Sequence, residues 1–115
     1  MVGKRIQIGL AVGLIVLIAA PVYAGMSPKL LIERKGCLSC HTLLGKGGRM
    51  GPPLQSTPAW SDPERMYQYI KDPKSVNPKS IMPAARLKDA EIQAIVDYLQ
   101  TFKKDAKAPK GWKPK

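Results

Sequence analysis

The chain has few of the residues from which metal sites, disulfide frameworks and aromatic cores are built. Its 115 residues include one histidine, two cysteines and one phenylalanine, beside two tryptophans and four tyrosines. A tetrahedral zinc site needs four ligands, and these thiols and this imidazole supply only three. Acidic residues are also scarce, with 8 Asp and Glu against 19 Lys and Arg. Length and composition therefore allow one basic domain with a thin aromatic core, since a chain this short buries a limited fraction of its surface.

Both cysteines and the histidine lie in one stretch, Cys37-Leu38-Ser39-Cys40-His41. Two thiols three positions apart, with an imidazole directly after the second, form the attachment signature of a c-type haem. A helical turn brings both sulfurs to one side, where they can bond to the two haem vinyl groups, and His41 then ligates the iron. A thioredoxin-like dithiol is the alternative, but it expects a βαβ pattern that is not visible around the motif. The stretch predicts one haem c, bound through thioethers at Cys37 and Cys40, and leaves no cysteine for a disulfide.

Four further markers surround this stretch: Gly36, Gly51-Pro52-Pro53-Leu54, Met82-Pro83 and Asp97-Tyr98-Leu99. With them, the sequence from about residue 27 to about residue 102 resembles the class I c-type cytochromes, the small monohaem electron carriers. The resemblance implies an all-α cytochrome c fold, with three to five helices wrapped around one covalently bound haem. It also implies that His41 and Met82 are the axial iron ligands, and that the backbone carbonyl of Pro52 accepts a hydrogen bond from the His41 ring.

Met82 has to be weighed against the other methionines. It follows an irregular loop of turn residues at 72–79 and lies 41 residues beyond His41, where the family supplies its thioether. A methionine is more often core filler than a ligand. The other methionines have plainer explanations. Met1 begins the sequence, Met26 lies near the start of the predicted mature chain, Met50 is tied to the His41 loop, and Met66 lies in the middle of a predicted helix. Iron held by His and Met is six-coordinate and has a raised potential, which indicates an electron carrier and not an enzyme.

The N-terminal segment has the composition of an export signal. Lys4 and Arg5 precede an apolar run at residues 6–20, and the small residue Ala24 ends the segment. This order is typical of a secretory signal peptide, so we predict cleavage after Ala24 and a periplasmic location. An uncleaved membrane anchor is the alternative, although the run is shorter than the roughly 20 residues of a spanning helix. The predicted division is a signal at 1–24, a cytochrome c domain at 25–104 and a basic tail at 105–115.

Capping signals and apolar periodicity predict three helices. Ser27 is the predicted N-cap of the first helix, and Ser61, with a glutamate three residues later, is that of a helix ending near residue 71. The last helix begins near Asp89 and has an apolar stripe made of Ile92, Ile95, Val96, Leu99 and Phe102. The tail beyond it has no such stripe, and we expect it to be solvated. The alternative is that Trp112 folds back on the body or assists contact with a membrane.

The charge indicates the kind of partner. Without the predicted signal, 17 basic and 8 acidic residues leave a side-chain charge of +9. Long-range attraction steers such a carrier to redox proteins with acidic docking surfaces. Nucleic acid is a poor partner for an exported protein, whereas weak contact with an anionic membrane surface is compatible with the basic tail. We therefore predict electron transfer between respiratory or other redox proteins. The alternatives are a haem-bearing relay subunit of a larger periplasmic oxidoreductase, and a catalytic or gas-sensing haem protein, against which the Met82 ligand argues.

Overall fold

The computed structural model describes residues 25–113, together with Gly3, Gly9 and Gly13. This part of the chain consists of short helices and one small hairpin: α1 (Pro28–Arg34), a first 3₁₀ helix (Cys37–Ser39), β1 (Thr42–Leu43), β2 (Lys46–Gly47), a second 3₁₀ helix (Leu54–Ala59), α2 (Pro63–Lys71), α3 (Pro73–Val76) and α4 (Asp89–Gln100). Strands β1 and β2 are antiparallel, with Thr42 opposite Gly47. The predicted all-α fold is confirmed, with this hairpin added to it.

The predicted export signal, residues 1–24, lies outside the described residues apart from the three glycines. Among the residues that the structure describes, no helix combines the length and the apolar character needed to cross a membrane. The choice between a cleaved signal and an uncleaved anchor therefore stays a prediction.

The core is aliphatic and centres on the last helix. Helix α4 packs against α1 and α2, and α2 also packs against α3. The buried apolar side chains of the described residues are Leu31, Ile32, Leu43, Met66, Ile92, Ile95, Val96 and Leu99. Burying one such side chain stabilises the fold by about 1.5–3 kcal/mol, and α4 supplies half of them. The aromatic rings of Tyr67, Tyr98 and Phe102 are only partly buried against this cluster. This agrees with the thin aromatic core expected from the composition.

Helix α1 leads directly into the predicted haem motif. The Ser27 side chain accepts a hydrogen bond from the Leu30 N–H at 3.3 Å, so the predicted N-cap is confirmed. After the helix, Gly36 has a φ of 83°, a left-handed conformation that glycine adopts without a Cβ penalty. This residue turns the chain from α1 into the 3₁₀ helix that begins with Cys37.

Two predictions about the middle of the chain need correction. The N-cap of α2 is Asp62, whose carboxylate accepts the Arg65 N–H at 2.8 Å, and not the predicted Ser61. Both residue types cap helices well, and the proline at the first helical position follows Asp62. The segment 72–79, predicted to be irregular throughout, contains the helical turn α3. There Ser75 donates a side-chain hydrogen bond to the Asp72 carbonyl at 2.7 Å, which favours the turn.

Helix α4 follows the predicted stripe. Four stripe residues are buried, whereas Phe102 lies beyond the end of the helix and meets the Tyr98 ring edge-on at 5.4 Å.

Most tail residues between 105 and 113 are exposed, as predicted. Trp112 follows the alternative of folding back on the body, because its ring centroid lies 5.5 Å from that of Trp60. Trp112 is still 40% exposed, so this contact covers only part of its ring. Such an aromatic pair offsets part of the entropy lost when the tail is ordered.

Candidate functional site

The two cysteines of the motif lie on one tight turn. The N–H groups of Cys40 and His41 both donate to the Cys37 carbonyl, at 3.3 and 3.0 Å. Both thiols are free and half-buried, and Cys37 packs against the aliphatic core. Burial raises the pKa of the Cys37 thiol above its ordinary value, because desolvation disfavours the thiolate. The turn therefore presents two sulfurs close together in sequence, next to an apolar wall.

The His41 ring is fixed by a backbone carbonyl. Its Nδ1 lies 2.8 Å from the Pro52 oxygen, so the hydrogen bond expected between these residues is present. A carbonyl can only accept, so Nδ1 carries the proton and Nε2 keeps a free lone pair. Ligating histidines are usually held in this way, because the outer hydrogen bond sets the tautomer and raises the basicity of the ring.

Glycines bring the loop after the motif into close contact with it. A Cβ on Gly51 would lie 2.5 Å from Cε1 and 2.7 Å from Nδ1 of the His41 ring. A Cβ on Gly48 would likewise overlap the Ser39 carbonyl oxygen. The Gly51 N–H donates to the Cys40 carbonyl at 2.6 Å, and the Gly48 N–H donates to the Leu38 carbonyl at 2.8 Å. No pattern in the sequence reveals this packing.

Met82 lies half-buried in the segment between α3 and α4. Its N–H donates to the Ser80 hydroxyl oxygen at 3.2 Å, and the Tyr69 hydroxyl donates to the same oxygen at 3.2 Å. A second bond ties this segment to α2, because the Ala85 N–H donates to the Ile70 carbonyl at 3.0 Å. Sequence reasoning missed Tyr69 and Ser80. A serine two residues before a methionine could have suggested a local turn, but no sequence signal pairs it with Tyr69.

The residues around the motif fit a large apolar group held by sulfur and nitrogen donors. The thiols and the free Nε2 of His41 have the donor types that c-type haem requires. Partly buried apolar side chains pack against the same core as Cys37, among them Leu38, Leu54, Tyr67, Ile70 and Leu87. Within residues 25–113 and the three isolated glycines, no three His, Cys, Asp or Glu side chains come together as a metal site. The donor types of the motif are thus suited to haem attachment.

Fold and site together define a class of protein: a mainly helical domain that binds haem c covalently at a CXXCH turn and serves in electron transport. More specifically, the chain belongs to the family described as cytochrome c oxidase, cbb3-type, subunit III, whose family model matches residues 26–99. The chain is also similar to a nitric oxide reductase subunit from Paracoccus denitrificans, with 33% identity over 76 residues. The matched stretch is 58% of this chain and 51% of that protein, so the chain spans about half the length of this curated relative.

Family membership decides some of the predictions made from sequence. It confirms a covalently bound haem c, for which Cys37 and Cys40 are the matching thiols, and a role in electron transport. The resemblance to class I c-type cytochromes is consistent with this family but less specific than it. The roles of His41, Pro52 and Met82 at the iron stay predictions, as does the division of the chain at residues 24 and 104.

Proposed function

We propose that this chain is the haem-bearing electron-relay subunit of a larger periplasmic oxidoreductase complex. The observation that carries the proposal is the match of residues 26–99 to a family described as an oxidase subunit. The similar protein from Paracoccus denitrificans is likewise named as a subunit, in that case of a reductase. Both descriptions refer to a chain that works within an assembly, which supports a relay subunit over the freely diffusing carrier favoured by the sequence alone.

In this proposal, Cys37 and Cys40 would hold haem c through two thioether bonds, and His41 and Met82 would ligate its iron. The haem supplies a one-electron couple when it is bound. Pro52 accepts the Nδ1 proton of His41, keeps the ring oriented and leaves Nε2 for the iron. The thioether of Met82 favours the reduced state and so raises the potential.

The same ligand set argues that the chain itself is not a catalyst. Two protein side chains at the iron leave no coordination position for a substrate. The Pro52 carbonyl fixes His41 and the Ser80 hydroxyl fixes the backbone of Met82, so neither ligand has to move when the oxidation state changes. We therefore assign the substrate reaction to another subunit of the complex, and electron transfer to this chain.

Exposed basic side chains lie beside both loops of the proposed site. Lys46 in β2 and Arg49 just after it are exposed. Lys79 and Arg86 are exposed on either side of Met82 in the chain. This arrangement supports docking of an acidic redox partner near the haem, because complementary charge steers and orients the encounter. Attachment of haem to reduced thiols outside the cytoplasmic membrane, as in the resembled family, supports a periplasmic location for residues 25–104.

A diffusing electron carrier is the second candidate. Its supporting observation is the side-chain charge of +9 on residues 25–115, which favours fast association with acidic partners. Such a carrier would form small, short-lived complexes, and its binding would weaken steeply as salt is added. A subunit held by apolar contacts would respond little to the same change.

Purification of the tagged full chain from its own host, in mild detergent, separates the two candidates. We expect a membrane oxidoreductase to copurify in a fixed ratio and to stay bound through a wash at high salt. Mass spectrometry of the same sample reports the attached haem and the true N-terminus. Recovery of the haem protein alone in the periplasmic fraction, with partner reduction rates that fall with salt, would instead establish the diffusing carrier.

A further inference from the structure

The segment that carries Met82 is fastened to helix α2 on both sides of the methionine. Before Met82, the Ser80 hydroxyl oxygen accepts a hydrogen bond from the Tyr69 hydroxyl at 3.2 Å. After Met82, the Ala85 N–H donates a hydrogen bond to the Ile70 carbonyl at 3.0 Å. Tyr69 and Ile70 are neighbours in α2, so two adjacent residues of one helix hold both ends of a short span. Because helix α2 is itself packed against α4, the segment that carries Met82 is attached to a packed part of the fold.

Ser80 is the buried member of this arrangement. It is 8% exposed, and its oxygen accepts from both the Tyr69 hydroxyl and the Met82 N–H. A buried hydroxyl with partners stabilises its surroundings modestly, whereas loss of that hydroxyl leaves the partners unpaired at a larger cost. The residues on either side of Met82 contribute little packing, because Ile81 is 81% exposed and Pro83 is exposed as well. The hydrogen bonds to Ser80 are therefore a main restraint on the Met82 backbone.

We propose that Tyr69 and Ser80 are positioning residues that keep the thioether of Met82 on the haem iron. This inference rests on the proposed ligation by Met82. Tyr69 acts through Ser80 and does not itself touch the methionine in this scheme. The pair lowers the population of an open state in which Met82 has left the iron. Because a small ligand can bind only to that open state, the pair also limits access of such ligands to the iron.

The test uses the full-length holoprotein with Tyr69→Phe and Ser80→Ala, singly and together. Tyr98→Phe removes a hydroxyl from a half-buried tyrosine on α4, and Ser75→Ala removes one from an exposed serine in α3; these are the matched controls. The readouts are the rate of carbon monoxide binding to the reduced protein and the denaturant concentration at which the sulfur-to-iron charge-transfer band disappears. Helical circular dichroism, followed separately, reports whether the fold as a whole has been lost.

We expect carbon monoxide binding to be about threefold faster in Tyr69→Phe and about tenfold faster in Ser80→Ala, with both controls unchanged. The charge-transfer band should be lost at a lower denaturant concentration than the helical signal in both variants. The double variant should resemble Ser80→Ala, because residues in one hydrogen-bond network have non-additive effects.

Two results would overturn parts of the scheme separately. A parent protein that shows the band, with Tyr69→Phe and Ser80→Ala both matching the controls, would remove the positioning role and leave Met82 as the ligand. A parent protein that lacks the band, or binds carbon monoxide immediately, would remove Met82 as the ligand altogether. Parallel loss of band and helical signal at one denaturant concentration would show that the pair stabilises the fold generally, which also contradicts the proposal.

Discussion

The two sides of the site are held by different means. On the His41 side, the backbone itself packs against the motif, with Gly51 against the imidazole and the Pro52 carbonyl on Nδ1. On the Met82 side, the restraint comes from hydrogen bonds: the Ser80 hydroxyl lies between Tyr69 and the Met82 N–H, and the Ala85 N–H donates to the Ile70 carbonyl. The first side has steric contacts with little room to relax, whereas the second has three hydrogen bonds beside an exposed Ile81.

This difference predicts which of the two proposed ligands would leave the iron first. His41 directly follows the two thioether positions, so the covalent bonds keep its ring close to the iron even when the fold loosens. Met82 comes 41 residues later in the chain and depends on α2 for its placement. Local opening draws on the least stable part of a structure. We therefore expect the Met82 side to open well before the His41 side.

The largest effect is expected from Met82→Ala. Without the thioether, the sulfur-to-iron charge-transfer band should vanish, the potential should fall, and the reduced protein should bind carbon monoxide. Visible spectroscopy and a redox titration measure these changes. Met50→Ala is the matched control, because Met50 is 72% exposed on the His41 side and carries no proposed ligand role. Persistence of the band in Met82→Ala, or its loss in Met50→Ala, would show that the second ligand has been misassigned.

The next largest effect should follow from Gly51→Ala. The added Cβ would lie 2.5 Å from the His41 ring, so ring or loop must shift, and we expect a loss of about 1–3 kcal/mol in the free energy of unfolding. Denaturant titration of the holoprotein measures this loss, and the haem spectrum should report a displaced imidazole.

Gly45→Ala is the control for the same loop. At Gly45 a Cβ would meet nothing within 4 Å, but φ is +85°, so only backbone strain of about 1–2 kcal/mol is expected. The haem spectrum of this variant should match the parent. If Gly51→Ala leaves the haem spectrum unchanged and loses no more stability than Gly45→Ala, the close packing on the His41 side does not restrain the ring.

The parts of this site that sequence reasoning reached depend on local chemistry. The spacing of Cys37, Cys40 and His41 by itself indicates haem c attachment. Ser27 caps α1 through a hydrogen bond to a residue only three positions away. The bond from His41 to Pro52 was expected only through the family resemblance, and the structure contains it. Where two neighbours had equal capping propensity, as Ser61 and Asp62 do, the sequence could not choose between them.

What sequence reasoning missed depends on how elements meet in space. A glycine such as Gly48 suggests flexibility, whereas its role here is to let two backbone segments touch. The pair formed by Tyr69 and Ser80 exists only because α2 lies beneath the Met82 segment. The contact between Trp60 and Trp112 similarly joins regions with no shared periodicity. In each case the residue types were visible, but their partners were set by packing.

The smallest predicted effect concerns the ion pair between Lys71 and Asp89, which joins helices α2 and α4 on either side of the Met82 segment. Lys71 at the end of α2 lies 3.1 Å from Asp89 at the start of α4, and Met82 lies between them in the chain. Lys71, and secondarily the Tyr67 hydroxyl, lower the pKa of the Asp89 carboxyl below its ordinary value. A lowered native pKa gives stability that is present above the unfolded pKa, near about 4, and lost as the pH falls through the native value. Because the two side chains are 48% and 71% exposed, solvent and salt keep this contribution small.

Asp89→Asn should therefore flatten the acid limb of stability between about pH 5 and about pH 2. The pH dependence of the charge-transfer band should change more than that of the helical signal, because the ion pair joins helices α2 and α4 on either side of the Met82 segment. Asp97→Asn is the control, because Asp97 lies exposed on the same helix and accepts a hydrogen bond from Gln93 at 2.9 Å. An acid limb for Asp89→Asn that coincides with both the parent and Asp97→Asn would mean that the ion pair does not support the Met82 side.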